Sequence, residues 1–124
     1  MKPDEIFALL GGKVVLLEVD RGTKAPVRSK WQKLTIADMT PEYLARLNGH
    51  TNVGVSLGLV SNHLVTVDID DEARWAQFLA LNPALSRSLQ SQGERGGNVW
   101  FYLKEAGYPA SCNLKDTRGK HVAE

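Results

Sequence analysis

Two aspartates in the segment Val67-Asp68-Ile69-Asp70 constrain this chain more than any other feature of its sequence. They end the apolar run at residues 63–67, which is typical of a buried β-strand. Because side chains alternate between the two faces of a strand, Asp68 and Asp70 project from one face and the neighbouring apolar side chains from the other. Their Cβ atoms are expected roughly 6–7 Å apart, a span that hard cations bridge with oxygen ligands at ~2.0–2.1 Å.

This carboxylate pair has two interpretations. A pair of divalent cations held in this way stabilises the attacking and leaving oxygens of a phosphoryl transfer, and a cation also relieves the repulsion between two nearby carboxylates. Alternatively, Asp70 or Asp71 caps the backbone N–H groups of the helix that is expected to follow. The spacing of the two acids leaves both interpretations open.

Composition predicts a single soluble globular domain over residues 1–124, since the chain is 43% hydrophobic and 23% charged. No apolar run approaches the ~20 residues that span a bilayer, and no signal peptide is recognisable, so we expect a cytoplasmic protein without a membrane partner.

Cys112 is the single cysteine, which excludes a disulfide framework or a thiolate zinc site. His50, His63 and His121 lack metal-ligand spacing, and we expect surface or turn roles for them.

Basic residues cluster near the amino terminus although the formal net charge is only +1. Five of them occur without an acid between them, at Arg21, Lys24, Arg28, Lys30 and Lys33, and Trp31 lies among them. Basic side chains beside an aromatic ring suit phosphate contacts and base stacking. The alternative is a solvated loop whose tryptophan packs on the core.

Hydrophobic periodicity and end signals predict an α+β fold in which helices cover one face of a largely antiparallel sheet. We expect the Asp-bearing strand to return antiparallel to the strand before it, across a turn at residues 58–62. The predicted helices cover residues 3–10, 41–47 and 71–81, and the other predicted strands cover residues 14–17, 53–57 and 99–103, with two edge segments at Leu114 and Val122 around a turn at residues 117–119.

A polar, glycine-rich loop is predicted at residues 91–98, directly before the last long strand. Gly93, Gly96 and Gly97 surround Arg95, and such a loop lets backbone N–H groups and a guanidinium approach an anion. The loop fits neither a Walker A sequence nor a Rossmann fingerprint. Glycine-rich turns between strands are common, so the loop becomes informative only together with the two aspartates.

Four segments resemble the primase-polymerase (prim-pol) domains of the archaeo-eukaryotic primase superfamily, in the branch typical of phages and mobile elements. The resemblance covers the chain from about Leu16 to Glu124, and the Asp-x-Asp strand after a Gly-x-x-Ser turn is its specific part. The segments are Lys24-x-Pro26 with Trp31, the stretch from Asn52 to Ser61, the stretch from Leu64 to Asp70, and Arg95-Gly96-Gly97-Asn98-Val99-Trp100.

The resemblance implies a partial palm-like fold in which Asp68 and Asp70 bind catalytic Mg²⁺ or Mn²⁺. It implies a third acid on a later strand, for which Asp116 is the favoured candidate, Glu124 the second and Glu94 a further one. The remaining roles that it implies are nucleotide binding by Arg95, Asn98, Ser61 and Gly96, and nucleic-acid contacts by Lys24, Arg28 and Trp31. Asn98 stands where the family commonly has a histidine.

The function expected from the resemblance is that of a nucleotidyltransferase, a DNA primase/polymerase acting on nucleoside triphosphates and a DNA template or primer. The chain is then expected to be the N-terminal part of a longer protein, with a helicase as partner or fused domain and a tendency of the isolated part to self-associate. Two alternatives remain: a metal-dependent nuclease or phosphohydrolase that uses the same acids, and a non-catalytic module that binds DNA or a replisome partner.

Overall fold

The structure is a computed structural model that describes residues 1–49, 52–104 and 110–124. It contains two compact units, Met1–His63 and Leu64–Glu124. The predicted α+β class is confirmed, whereas the expectation of one sheet is wrong, because the strands form two separate antiparallel sheets. Within the described ranges, no helix combines the length and hydrophobicity that a membrane crossing requires. His50 lies outside the described residues.

The first unit is built on a two-stranded sheet whose strand β1 is almost entirely buried. Helix α2 begins as predicted, with Thr40 accepting a hydrogen bond from the Tyr43 amide and Pro41 in the first turn. The Tyr43 hydroxyl donates to the Leu16 carbonyl at 2.9 Å, which ties this helix to β1. The elements are α1 (Pro3–Leu9), β1 (Val15–Val19), α2 (Pro41–Leu47) and β2 (Asn52–Ser56).

The second unit is a five-stranded sheet in the order β4-β5-β3-β7-β6, with the Asp-bearing strand β3 at its centre. Helix α3 contributes Trp75 to a buried cluster with Ile69, Val99 and Ala123, and Phe78 and Leu79 of the same helix pack against it. The elements are β3 (Leu64–Ile69), α3 (Glu72–Leu81), β4 (Leu89–Gln92), β5 (Gly97–Tyr102), β6 (Leu114–Lys115) and β7 (His121–Ala123).

The predicted hairpin between β2 and β3 is wrong. Strand β2 pairs with β1, whereas β3 pairs antiparallel with β5 and β7. The connection contains a short 3₁₀ turn, Leu59–Ser61, followed by Asn62 and His63 with φ angles of 54° and 65°. Left-handed backbone is uncommon for residues other than glycine, and the connection over residues 57–63 is longer than the tight turn of a regular hairpin.

The predicted loop at residues 91–98 is shorter than expected. Strand β4 includes Ser91 and Gln92, and strand β5 already begins at Gly97. Ser91 lies opposite Asn98 and Gln92 opposite Gly97, so the segment is the end of a β-hairpin. Only residues 93–96 connect the two strands. Polar residues on an exposed edge strand lack the apolar alternation from which a strand is predicted.

Candidate metal and nucleotide site

The two aspartates lie where β3 ends in the centre of the sheet. Ile69 is buried in the core cluster and Val67 packs against that cluster, which puts these two side chains on the helix-covered face. Asp68 lies opposite Asn98 of β5, and directly opposed residues of antiparallel strands project from the same face. The predicted separation of acids and apolar residues between the two faces is therefore confirmed.

Asp71, and not Asp70, caps helix α3. Its Oδ1 accepts a hydrogen bond from the Arg74 amide at 2.8 Å, and its Oδ2 lies 3.4 Å from Arg74 Nη1. The helix-cap interpretation of the acidic run thus applies to Asp71. The Asp70 side chain is 48% exposed, and its carboxylate is left for another role.

Asp68 and Asp70 line an open cavity of about 500 Å³ together with the β4–β5 hairpin. The hairpin contributes one continuous segment, residues 91–98, so the two aspartates line the same cavity as Arg95 and Asn98. Arg95 is exposed and Asn98 is partly buried. Two acids, a guanidinium and an amide around one cavity provide ligands for a hard cation and donors for an anion.

The glycines of the hairpin have different roles. A Cβ on Gly96 would lie 1.7 Å from the carbonyl oxygen of Ile69, and a Cβ on Gly97 would lie 2.8 Å from the Trp75 ring. Both glycines therefore permit close packing against β3 and α3. Among the described residues, no atom lies within 4 Å of a Cβ added to Gly93, and its amide donates to the Gly96 carbonyl at 2.9 Å.

His121 of β7 contacts Asp70, a contact that sequence analysis did not predict. Its Nδ1 lies 2.9 Å from Asp70 Oδ2. The β6–β7 pairing changes register between Leu114 and Lys115, and such a bulge re-aims side chains relative to a regular strand. No local sequence signal could have revealed this contact, because it depends on the register of a three-residue strand.

The candidates for a third acid lie in different surroundings. Glu94 lines the cavity. Glu124 exchanges both backbone hydrogen bonds with Asp68 at 2.8 Å each, and its Oε1 accepts from the Ser111 hydroxyl. Asp116 lies in the turn between β6 and β7, where its Oδ1 accepts the amides of residues 118 and 120 at 2.9 Å each.

The donor set partly fits a divalent cation. Among the described residues, no three His, Cys, Asp or Glu side chains converge as a complete metal cage. Mg²⁺, however, is commonly held by one or two carboxylates, with waters and substrate phosphates completing its coordination. Asp68 and Asp70 on one open cavity meet that requirement.

The other predicted site residues belong to the first unit. Ser61 is fully buried, and its Oγ accepts the Val15 amide at 2.9 Å, so this hydroxyl has a structural contact within that unit. Lys24 and Arg28 are exposed, and Lys24 lines a second cavity of about 450 Å³. Trp31 begins a 3₁₀ turn and is partly buried.

The chain matches the model of a known protein family. The model of a family described as bifunctional DNA primase/polymerase, N-terminal, matches residues 6–123 of the 124 residues. No curated protein matches the chain. The match covers both compact units and confirms the resemblance found in the sequence.

Proposed function

Because the chain belongs to the bifunctional DNA primase/polymerase family, we propose that it catalyses template-directed nucleotidyl transfer that depends on a divalent metal. The family acts on DNA and nucleotides, and its members generally depend on divalent metals. The observation that carries the proposal is the single cavity lined by Asp68, Asp70, Arg95 and Asn98. Its carboxylates are complementary to a cation, and its guanidinium is complementary to the triphosphate that carries the cation.

In the proposed reaction, a 3′-hydroxyl attacks the α-phosphate of an incoming nucleotide. A new oxygen–phosphorus bond forms, the bond between the α- and β-phosphates breaks, pyrophosphate leaves and the hydroxyl proton passes to solvent. Mg²⁺ or Mn²⁺, when bound, would supply charge neutralisation at the attacking and leaving oxygens. The protein itself binds and orients the reactants, which needs no covalent intermediate.

Four side chains would bind and orient the metal and the nucleotide. Asp68 and Asp70 would hold the metal, because Asp68 at the end of β3 and Asp70 just after it both line the cavity. Arg95 would bind the triphosphate through its planar group of donors, and Asn98 would donate a hydrogen bond to a phosphate oxygen. The packing of Gly96 against Ile69 supports an indirect contribution, in which this glycine brings the hairpin close to the aspartates.

A third carboxylate would complete the metal ligands, and its backbone pairing favours Glu124 over Asp116. Two residues that exchange both backbone hydrogen bonds in an antiparallel pair have Cα atoms about 5.5 Å apart and side chains on the same face. Glu124 has this relation to Asp68. The Oδ1 of Asp116 accepts two amides of its own turn, whereas the Oε1 of Glu124 accepts one hydroxyl, from Ser111.

The DNA strand would contact the first unit through Lys24, Arg28 and Trp31. Lys24 and Arg28 are exposed on a segment that carries no acid between residues 21 and 33. Their ammonium and guanidinium groups are suited to the phosphate backbone. Trp31 is not fully buried, which leaves part of its ring for stacking on a base.

A primer-synthesis assay tests the proposal, with a single-stranded DNA template, labelled nucleotides and either Mg²⁺ or Mn²⁺. Asp70→Asn should abolish synthesis, since it removes a charged metal ligand. Asp71→Asn is the matched control: it makes the same change one residue later, and asparagine caps a helix as well as aspartate does. Equal synthesis by the Asp70→Asn variant and the wild type would refute the metal assignment.

Two further outcomes would assign the site differently. Release of nucleotides from labelled DNA in the absence of nucleoside triphosphates would identify a nuclease or phosphohydrolase. DNA binding that survives loss of both Asp68 and Asp70, without synthesis under either metal, would identify a non-catalytic binding module.

A further inference from the structure

His121 has one polar contact that the proposed roles do not explain. Its Nδ1 lies 2.9 Å from Asp70 Oδ2, while its Nε2 is enclosed and has no hydrogen-bond partner in the described part of the chain. The ring is thus held with one nitrogen against the carboxylate and gains no hydrogen bond at the other.

The chemistry of the two groups fixes the direction of this hydrogen bond. An ionised carboxylate has acceptors only, so Nδ1 must carry the proton and donate it to Asp70 Oδ2. That bond occupies one carboxylate oxygen and limits rotation of the Asp70 side chain. The second oxygen remains available to a cation, and Asp70 lines the cavity together with Asp68.

Stability alone does not account for the contact. The side chains of His121 and Asp70 are 38% and 48% exposed, and polar contacts between such exposed groups contribute little to folding. Hydrogen bonds to the carboxylates that ligate a metal, in contrast, orient those ligands and strongly affect metal affinity.

We infer that His121 is a positioning residue, which holds the Asp70 carboxylate in the orientation that binds the divalent cation. This inference rests on the proposed function, because it assumes that Asp70 is a metal ligand. His121 itself contacts neither the metal nor the nucleotide in this arrangement. Its role is to restrict Asp70 before the cation arrives, which lowers the entropy lost when the metal binds.

Mn²⁺ binding to the full chain, measured by the electron paramagnetic resonance of free Mn²⁺, tests the inference without any enzymatic activity. His121→Leu should weaken Mn²⁺ binding about 10- to 100-fold, the usual effect of removing a hydrogen bond to a metal ligand. His121→Asn keeps an N–H donor near the position of Nδ1 and should stay within about threefold of the wild type. Unchanged affinity in His121→Leu, or equal losses in both variants, would overturn the inference.

An NMR measurement on metal-free protein gives a second readout. In ¹⁵N-labelled protein, long-range proton–nitrogen correlations of the His121 ring should identify Nδ1 as the protonated nitrogen. Asp70→Ala should reduce this Nδ1–H population, since it removes the acceptor. If the Nδ1–H population of the His121 ring is the same in Asp70→Ala and in the wild type, the inference is contradicted, whether or not either histidine variant folds.

The two proposals fail in different ways. If Asp70→Ala leaves Mn²⁺ affinity unchanged, the metal assignment in the proposed function is wrong. If Asp70→Ala weakens Mn²⁺ binding while His121→Leu does not, the metal assignment stands and the positioning role is wrong.

Discussion

Replacing Gly96 with alanine should damage both the stability of the second unit and its site. The added Cβ would lie 1.7 Å from the Ile69 carbonyl oxygen, 2.8 Å from the carbonyl carbon and 3.0 Å from the Asp71 amide nitrogen. All three atoms are backbone, so no flexible side chain can move aside. Ordinary contacts of this kind begin near 3.4 Å, and the hairpin must therefore shift by more than an ångström relative to β3.

The expected cost follows from that overlap. Overpacking in a close-packed region typically costs about 1–3 kcal/mol, and contact with rigid backbone favours the upper part of this range. At a urea dependence of about 1–3 kcal/mol per molar, the unfolding midpoint should fall by about 1 M. Because the shift moves the hairpin away from Asp70, nucleotide incorporation should fall by about 100-fold, the usual effect of misplacing a reacting group by an ångström.

Gly93→Ala is the matched control within the same hairpin. Its new Cβ would meet no atom of the described part of the chain within 4 Å, and Gly93 does not have a positive φ. We expect this variant to keep its stability or to gain about 0.4–1 kcal/mol, because alanine restricts the unfolded chain. Urea unfolding of both variants, followed by circular dichroism, makes the comparison. Equal midpoints for Gly96→Ala and the wild type would refute the packing argument, and so would equal losses in the two alanine variants.

Three other predictions concern different parts of the chain. Arg95→Ala should weaken nucleotide binding by roughly ten- to hundredfold, since a hydrogen bond to a charged group is worth about 1.5–3 kcal/mol, and Arg95→Lys should restore only part of it; titration calorimetry that finds neither change would mean that the hairpin is only a turn. Neutralising Lys24 and Arg28 together should reduce the salt slope of DNA binding by roughly one to two units, measured by fluorescence anisotropy across a salt series, and an unaltered slope would exclude phosphate contacts by these residues. Burial, and next the charge of Glu18, raise the pKa of Tyr43 above its ordinary value of 10.0. The folded state therefore holds this proton more tightly than the unfolded state, so the free energy of unfolding should fall as the pH rises above about 10, and Tyr43→Phe should show less of that fall in urea titrations at pH 8 and 10.5; parallel losses in both proteins would contradict the assignment.

Local sequence signals were sufficient to predict α2 and β3. End signals predicted the start of α2 at residue 41, and the apolar run before Asp68 predicted β3 and its two faces. Strand pairing was less predictable, because it depends on partners distant in sequence. No local signal at Asn62 or His63 indicated that β3 would pair with β5 and β7 and not with β2.

The candidate site was predictable to the same extent. The carboxylates and Arg95 were found from composition and spacing, and the cavity contains them together. The contact of His121 with Asp70 could not be predicted, because it depends on a bulge in the pairing of two very short strands. Which of Asp70 and Asp71 caps the helix could also not be predicted, since both acids precede the helix in the sequence.

The central position of β3 has a consequence for the order of folding. Its neighbours β5 and β7 come later in the chain, and Asp68 is flanked by Asn98 on one side and Glu124 on the other. Pairings between residues so far apart in sequence form slowly, because a long loop must close before the contact is made. A nascent chain therefore exposes its two acids well before their neighbours exist. We expect cation binding to appear only in the final step of folding, where it can report that both flanking strands have docked.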